Sequence, residues 1–297
     1  MCHTDVNRIP VAVCLANVCP HVIEKSEMPE LPEVETTRRG IEPHVIGQRV
    51  KAVLVRQDKL RWPVSSELGQ ALTGQVFEAV NRRGKYLLLA TGVGRVMIHL
   101  GMSGSLRLVE RDTLVKTHDH VDFVLSSERI LRYHDPRRFG SIFWLNGDSE
   151  HALIESLGPE PLAIDFSAAH LFQKSRGKSV AVKNFLMNSH VVVGVGNIYA
   201  NESLYLAGIR PDTPAGKISL ARYGRLVERV KQVLNDAIKA GGTTLRDFIR
   251  EDGSPGYFKQ SLHVYGRGGE PCTGCQRPLT EVRLGQRTTV FCRACQR

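Results

Sequence analysis

Met28-Pro29-Glu30-Leu31-Pro32-Glu33-Val34-Glu35-Thr36 reads as the start of a helix. Pro32 suits a first helical turn, and Glu33 and Glu35 then face the positive end of the helix dipole. Val34, Ile41 and Val45 repeat at helical spacing, and Gly47 is the expected stop. Beyond it the pattern changes. From Arg49 to Leu145, short β-like runs at Val50–Val55, Gln75–Val80, Tyr86–Ala90, Val96–Leu100, Val121–Leu125 and Ile130–Tyr133 are punctuated by turn residues at the spacing of a sandwich or barrel. Leu157-Gly158-Pro159-Glu160-Pro161 reads as a linker. After it the chain turns helical: Leu226, Val230, Val233, Leu234, Ala237 and Ile238 make one apolar stripe that ends at Gly241-Gly242. A helix followed by strands and then by helices predicts an α+β multidomain protein.

The chain has 297 residues, enough for two or three domains. Forty Lys and Arg against thirty Asp and Glu give a formal charge of +10, which favours a polyanionic partner such as nucleic acid. Residues 1–27 hold Arg8 and Lys25 against Asp5, Glu24 and Glu27, so the basic excess belongs to the remainder. The longest apolar stretches, Val11–Ala16 and Val191–Val195, fall far short of the ~20 residues needed to span a bilayer. A soluble, cytoplasmic, monomeric protein with no membrane partner is expected.

Cysteine placement excludes a disulfide-stapled extracellular framework, because residues 28–271 contain none. Cys272-x₂-Cys275 and Cys292-x₂-Cys295 are separated by 16 residues, within the spacing of a Cys₄ zinc ribbon. Four thiolates around one ion leave no open position for a catalytic water, so a single Zn²⁺ here would be structural. Disulfides are the alternative. Between the two knuckles, Arg283, Arg287 and Thr288–Phe291 read as a two-stranded finger with cationic side chains suited to phosphate.

Taken together, Met28–Thr36, Lys85-Tyr86-Leu87-Leu88-Leu89, His99-Leu100-Gly101-Met102-Ser103-Gly104-Ser105-Leu106, Asp135-Pro136-Arg137-Arg138-Phe139-Gly140, Val193-Gly194-Val195-Gly196-Asn197-Ile198-Tyr199-Ala200 and the Cys₄ pattern resemble the formamidopyrimidine-DNA glycosylases over residues 28–297. The resemblance implies a bifunctional glycosylase and AP lyase that acts on oxidised purines, such as 8-oxoguanine and formamidopyrimidines, in duplex DNA. It also implies an N-terminal β-sandwich domain (28–156) led by a helix, a helix–two-turn–helix domain (157–261) and a zinc finger (262–297). Residues 1–27 would be a non-native or removable extension.

The chemistry has its own logic. A proline freed at the N-terminus is a secondary amine with an α-amino pKa of ~8, partly neutral and nucleophilic near pH 7. Inside a chain the same nitrogen is an amide with a delocalised lone pair. Pro29 is the expected nucleophile once the preceding residues are gone, and the adjacent Glu30 is the expected proton-transfer carboxylate, a helix-entry role suiting Glu33 and Glu35 better. By resemblance, Lys85 holds a phosphate and assists β-elimination, and Arg287 assists δ-elimination.

To reach a base inside a duplex, an enzyme must evert the nucleotide and fill the gap. Met102, Arg137 and Phe139 match the family's intercalating set. From residue type alone Met102 and Phe139 would more often be core, but Gly101, Gly104 and Gly140 favour exposed turns. By the same resemblance His118, Lys178, Lys183 and Asn197 contact the DNA backbone. Asn197 is expected to begin a helix whose free N–H groups face a phosphate, a capped core helix being the equal alternative from the residues alone. Asp252-Gly253-Ser254-Pro255-Gly256-Tyr257 resembles the loop that closes over the everted base. Two readings compete. An endonuclease VIII-type enzyme usually has glycine where this chain has Leu31, and a non-catalytic DNA-binding module would keep the finger while residues 1–27 block the amine.

Overall fold

The computed structural model describes residues 28–242 and 261–297; residues 1–27 and the Asp252–Tyr257 loop lie outside them. Helix α1 (Leu31–Val45) begins with Pro32 in its first turn, and the Glu30 N–H donates to Glu33 Oε2 at 3.0 Å across that turn. Val34, Ile41 and Val45 form its buried stripe as the spacing predicts. Then follow β1 (Val50–Val55), α2 (Leu68–Leu72), β2 (Ala79–Arg83), β3 (Tyr86–Thr91), β4 (Gly94–His99), β5 (Ser105–Val109), β6 (Asp119–Leu125), β7 (Ile130–His134) and β8 (Ser141–Asn146).

The eight strands make two antiparallel four-stranded sheets, ordered β1-β6-β7-β5 and β2-β3-β4-β8. Phe123, Leu131 and Tyr133 of the first and Leu87, Leu89, Val96 and Ile98 of the second enter one continuous core. Each fully buried Leu, Val or Ile there contributes roughly 1.5–3 kcal/mol. Two strands differ from expectation. Residues 75–77 bridge irregularly to residues 47–50, and the ladder begins only at Ala79. β5 and β8 are additional; β5 lies beside the Gly101 and Gly104 turns, whose glycines mask a strand in the sequence.

Helices α3 (Ala152–Glu155), α4 (Ala168–Ser175), α5 (Val182–Leu186), α6 (Asn197–Leu206) and α7 (Leu220–Lys239) make the second half. α7 carries the expected stripe, starts at a Ser219 cap that accepts from the Arg222 N–H, and packs against α1, α4 and α6. The α1–α7 contact joins the two halves. A hairpin of β9 (Thr280–Leu284) and β10 (Arg287–Phe291) closes the chain. No helix among the described residues is long and apolar enough to cross a membrane.

Candidate active site and nucleic-acid interface

Pro29 and Glu30 are both buried where α1 meets α6. The Glu30 carboxylate accepts from the N–H groups of Gly196 (2.8 Å) and Tyr199 (3.4 Å) through Oε2, and of Ile198 (2.9 Å) through Oε1. A negative group thus sits on the positive end of α6. This corrects one expectation: the α6 N–H groups are turned to Glu30, not to an external phosphate. The neighbouring Glu33 reinforces the arrangement, since Tyr199 Oη donates to its Oε1 at 2.7 Å, and the Leu31 N–H donates to Gly194 O.

Lys85 reaches the same loop from the other side. It occupies a two-residue turn between β2 and β3 with Gly84, whose φ of +58° suits glycine. A Cβ on Gly84 would lie 2.1 Å from Val193 Cγ2, so this turn abuts the Val193–Gly196 segment that holds Glu30. Arg82 and Arg83, just before the turn, are held in ion pairs. Arg82 pairs with Glu35 and Glu160, Arg83 pairs with Glu160, and Glu160 Oε1 also accepts from the Gly84 N–H at 2.6 Å. Glu160, in the linker, therefore clamps the turn that presents the half-buried Lys85. The Pro29–Glu30 segment and the Gly84–Lys85 turn thus meet at one loop, through the Glu30 carboxylate and the Gly84 backbone.

Beside Lys85 stands His99, which reading the sequence missed. Its Nδ1 accepts from the Gly101 N–H at 3.0 Å, leaving Nε2 to carry the proton of a neutral ring. Burial, then the charges of Lys85 and Arg61, push its pKa down to about 4. Its place at the end of β4, just before the glycine turn, is the signal that could have identified it. That turn carries the half-buried Met102, while Arg137 and Phe139 stand exposed on the next one, the guanidinium 5.0 Å over the phenyl ring. His118 is exposed near the second turn, its carbonyl accepting from the Asp135 N–H.

The remaining residues divide. Lys178, after α4, and Arg287, at the start of β10, are exposed. Lys183, expected at the DNA, is fully buried, and its ammonium donates to Thr288 O (2.8 Å) and Thr289 Oγ1 (2.7 Å). A lysine so placed fastens the hairpin to α5 and cannot touch a phosphate without leaving it. Asn197 is only 4% exposed, with the Asn201 amide donating to its carbonyl at 2.6 Å.

Cys272, Cys275, Cys292 and Cys295 place their sulfurs within 4.8 Å of one another, with Cys272–Cys295 at 3.9 Å and Cys275–Cys292 at 3.5 Å. Those separations exceed a bonded sulfur pair and match the ~3.8 Å edge of a tetrahedron with ~2.3 Å metal–sulfur bonds. Burial pushes the Cys272 thiol up, but hydrogen bonds from Tyr205 and the N–H groups of Gly274 and Cys275 outweigh it and bring the thiol down to about 6. The cluster is tied to α6. Tyr205 Oη lies 3.3 Å from Cys272 Sγ, Asn201 Oδ1 accepts from the Val290 N–H, and the buried Glu202 accepts from the N–H groups of His263, Val264 and Tyr265. One helix thus holds Glu30 at its tip and the cysteine hairpin along its side.

Residues 28–142 match the family model of the formamidopyrimidine-DNA glycosylase N-terminal domain, and residues 157–249 that of the H2TH domain of the same enzymes. A formamidopyrimidine-DNA glycosylase of Thioalkalivibrio sulfidiphilus is 57% identical over 271 residues, covering 91% of this chain and all of the relative. Among solved structures, Lactococcus lactis Fpg in complex with DNA containing Fapy-dG superposes with a TM-score of 0.83 at 32% identity, covering 90% of this chain and 100% of the other. The same enzyme with DNA containing an abasic site gives 0.84 at 32% identity, over 90% and 99%. With both halves matched and identity high along the full length of a relative, this chain belongs to the formamidopyrimidine-DNA glycosylase family.

Proposed function

We propose that this protein is a DNA-repair glycosylase with AP-lyase activity that removes oxidised purines, among them 8-oxoguanine and formamidopyrimidines, through Pro29. The observation that carries the reading is the meeting of the Pro29–Glu30 segment and the Gly84–Lys85 turn at the Val193–Gly196 loop. With its amine free, Pro29 attacks C1′ of the damaged nucleotide. The N-glycosidic bond breaks and the base leaves with its electron pair and a proton. The sugar ring then opens: the C1′–O4′ bond breaks, its electron pair goes to O4′, which takes up a proton, and the proline nitrogen and C1′ become an iminium. The iminium acidifies C2′; loss of that proton expels the 3′ phosphate, and a second elimination expels the 5′ phosphate. Glu30, fixed by three N–H groups, moves protons at the sugar. Lys85 holds the phosphate and assists the first elimination, and Arg287, on the exposed start of the hairpin, assists the second.

Met102, Arg137 and Phe139 fill the space left by the everted nucleotide. His118 and Lys178 grip the backbone. The Cys₄ cluster holds one zinc ion, which supplies no chemistry to the reaction and fixes the hairpin that carries Arg287. Neutral His99 suits a phosphate oxygen beside Lys85 through its Nε2 proton.

Residues 1–27 must be absent for Pro29 to act, and this makes the test direct. The full chain and a chain started at Met28, whose initiator methionine is removed so that Pro29 becomes the first residue, are incubated with 8-oxoguanine duplex and borohydride, which reduces an iminium to a permanent protein–DNA bond. Only the shorter protein should cross-link, through Pro29. Efficient trapping by an uncleaved chain would move the nucleophile elsewhere, most simply to Lys85.

A further inference from the structure

One buried carboxylate joins the two turns that bear Met102 and Arg137–Phe139. Asp135 is fully buried. Its Oδ1 accepts from Ser103 Oγ at 2.7 Å and from the Arg137 N–H at 3.3 Å; its Oδ2 accepts from the Gly140 N–H at 2.9 Å and from Tyr133 Oη at 3.2 Å. Burial, then the charge of Asp135, raises the Tyr133 pKa well above 10, so this hydroxyl stays a donor. Ser103 Oγ in turn accepts from the Arg137 N–H at 3.1 Å, which makes a closed ring of bonds across the two turns.

The backbones themselves are in contact. A Cβ on Gly101 would lie 2.4 Å from Gly140 N, and one on Gly140 would lie 1.8 Å from Tyr133 Oη. Between Arg137 and Phe139, Arg138 has φ +56°, a left-handed conformation that costs a non-glycine residue energy and persists only where its surroundings enforce it. The enforcing bonds are those to Asp135, which seize the residues on both sides of that kink. Met102 precedes Ser103, Arg137 follows Asp135 by two residues, and Phe139 precedes Gly140. Each proposed wedge side chain is therefore at, or next to, a backbone group in the Asp135–Ser103 network.

We infer that Asp135 is a positioning residue: acting through Ser103, its carboxylate locks the Met102 turn to the Arg137–Phe139 turn as one preformed wedge and so sets the discrimination of the base opposite the lesion. This rests on the reading of Met102, Arg137 and Phe139 as the wedge. A carboxylate suits the place because it accepts from four donors at once. An amide would turn one of its two atoms into a donor facing another donor.

Two variants separate positioning from bulk stability. Asp135→Asn disrupts the whole network; Ser103→Ala removes only the link between the turns and keeps the bonds from Gly140 and Tyr133. Both are made in the chain starting at Met28. Four readouts are taken: melting temperature, the kcat/KM ratio for 8-oxoguanine opposite cytosine against adenine, cleavage of an abasic site in single-stranded DNA, and fluorescence of 2-aminopurine placed opposite the lesion. Ser103→Ala should lower the base-opposite ratio roughly tenfold, about the worth of one hydrogen bond, and reduce the 2-aminopurine response. Single-strand cleavage, which has no opposite base, should stay within about twofold.

The inference is overturned if folded Ser103→Ala keeps the wild-type ratio and fluorescence. It is overturned equally if both DNA substrates lose activity in parallel with the ratio unchanged. Should Asp135→Asn fail to fold, Ser103→Ala alone decides. If the unsubstituted protein itself shows neither discrimination nor a fluorescence response, the wedge reading fails first and takes this inference with it.

Discussion

Replacing Glu202 with glutamine tests whether α6 organises the cysteine hairpin. Glu202 is 1% exposed, and its carboxylate accepts from His263 N–H (2.8 Å), Val264 N–H (2.9 Å) and Tyr265 N–H (2.8 Å). Its Oε1 serves Val264 and Tyr265, and its Oε2 serves His263. A glutamine can keep an oxygen toward the pair, but its amide nitrogen then faces the His263 N–H, donor against donor. The loss is one charge-assisted hydrogen bond, roughly 1.5–3 kcal/mol, plus the weakening of two others from charged to neutral, so the total is about 2–5 kcal/mol. At roughly 2–4 °C per kcal/mol for a chain of this size, melting should fall by about 4–20 °C. Calorimetry measures that fall, and a chromophoric chelator reads metal release in parallel. Because metal affinity at such a site is coupled to folding, release should quicken by at least about tenfold. A glutamine variant that melts within about 1 °C of the parent and gives up its metal at the parental rate would refute the claim that this carboxylate anchors the hairpin.

Acid should destabilise the protein through His99. Its folded pKa of about 4 lies below the usual ~6.5, so the unfolded chain binds more protons between these values; stability is fully present above about pH 6.5 and is lost as pH falls through about 4. The contribution is at most about 3 kcal/mol, and His99→Gln should flatten that limb of the stability–pH curve; an unchanged slope in denaturant titrations counts against it. Cys292→Ala should abolish bound zinc and lower duplex affinity together, as atomic absorption and fluorescence anisotropy would report. A zinc-free variant with parental affinity would show that the hairpin folds without metal.

The sequence is most legible where chemistry and periodicity coincide. The α1 start, the α7 stripe and the Cys₄ spacing each depend on residues close together in the chain, so a local pattern carries them. The Gly84–Lys85 turn and the turns that carry Met102 and Arg137–Phe139 are legible because glycine marks them. Partnerships made at long range are not. Lys183 looks like any basic residue near a DNA-binding helix, yet its partners are 105 and 106 residues away and take it inside. Arg82 and Arg83 look solvated until Glu35 and Glu160 arrive from other segments. The tip of α6 looks open until Glu30, from the far end of the chain, occupies it.

That last arrangement sets a timetable. Glu30 is separated from Gly196 and Ile198 by 166 and 168 residues, so at ribosomal speeds of roughly 5–20 residues per second its dock emerges on the order of ten to thirty seconds after it does. The sandwich can close in that interval, since all its strands precede Leu157. The carboxylate beside the amine waits unseated until α6 is made. A chain broken before Gly196 would retain every strand of the sandwich and the turns that carry Met102 and Arg137–Phe139, but would lack all three N–H groups that seat Glu30.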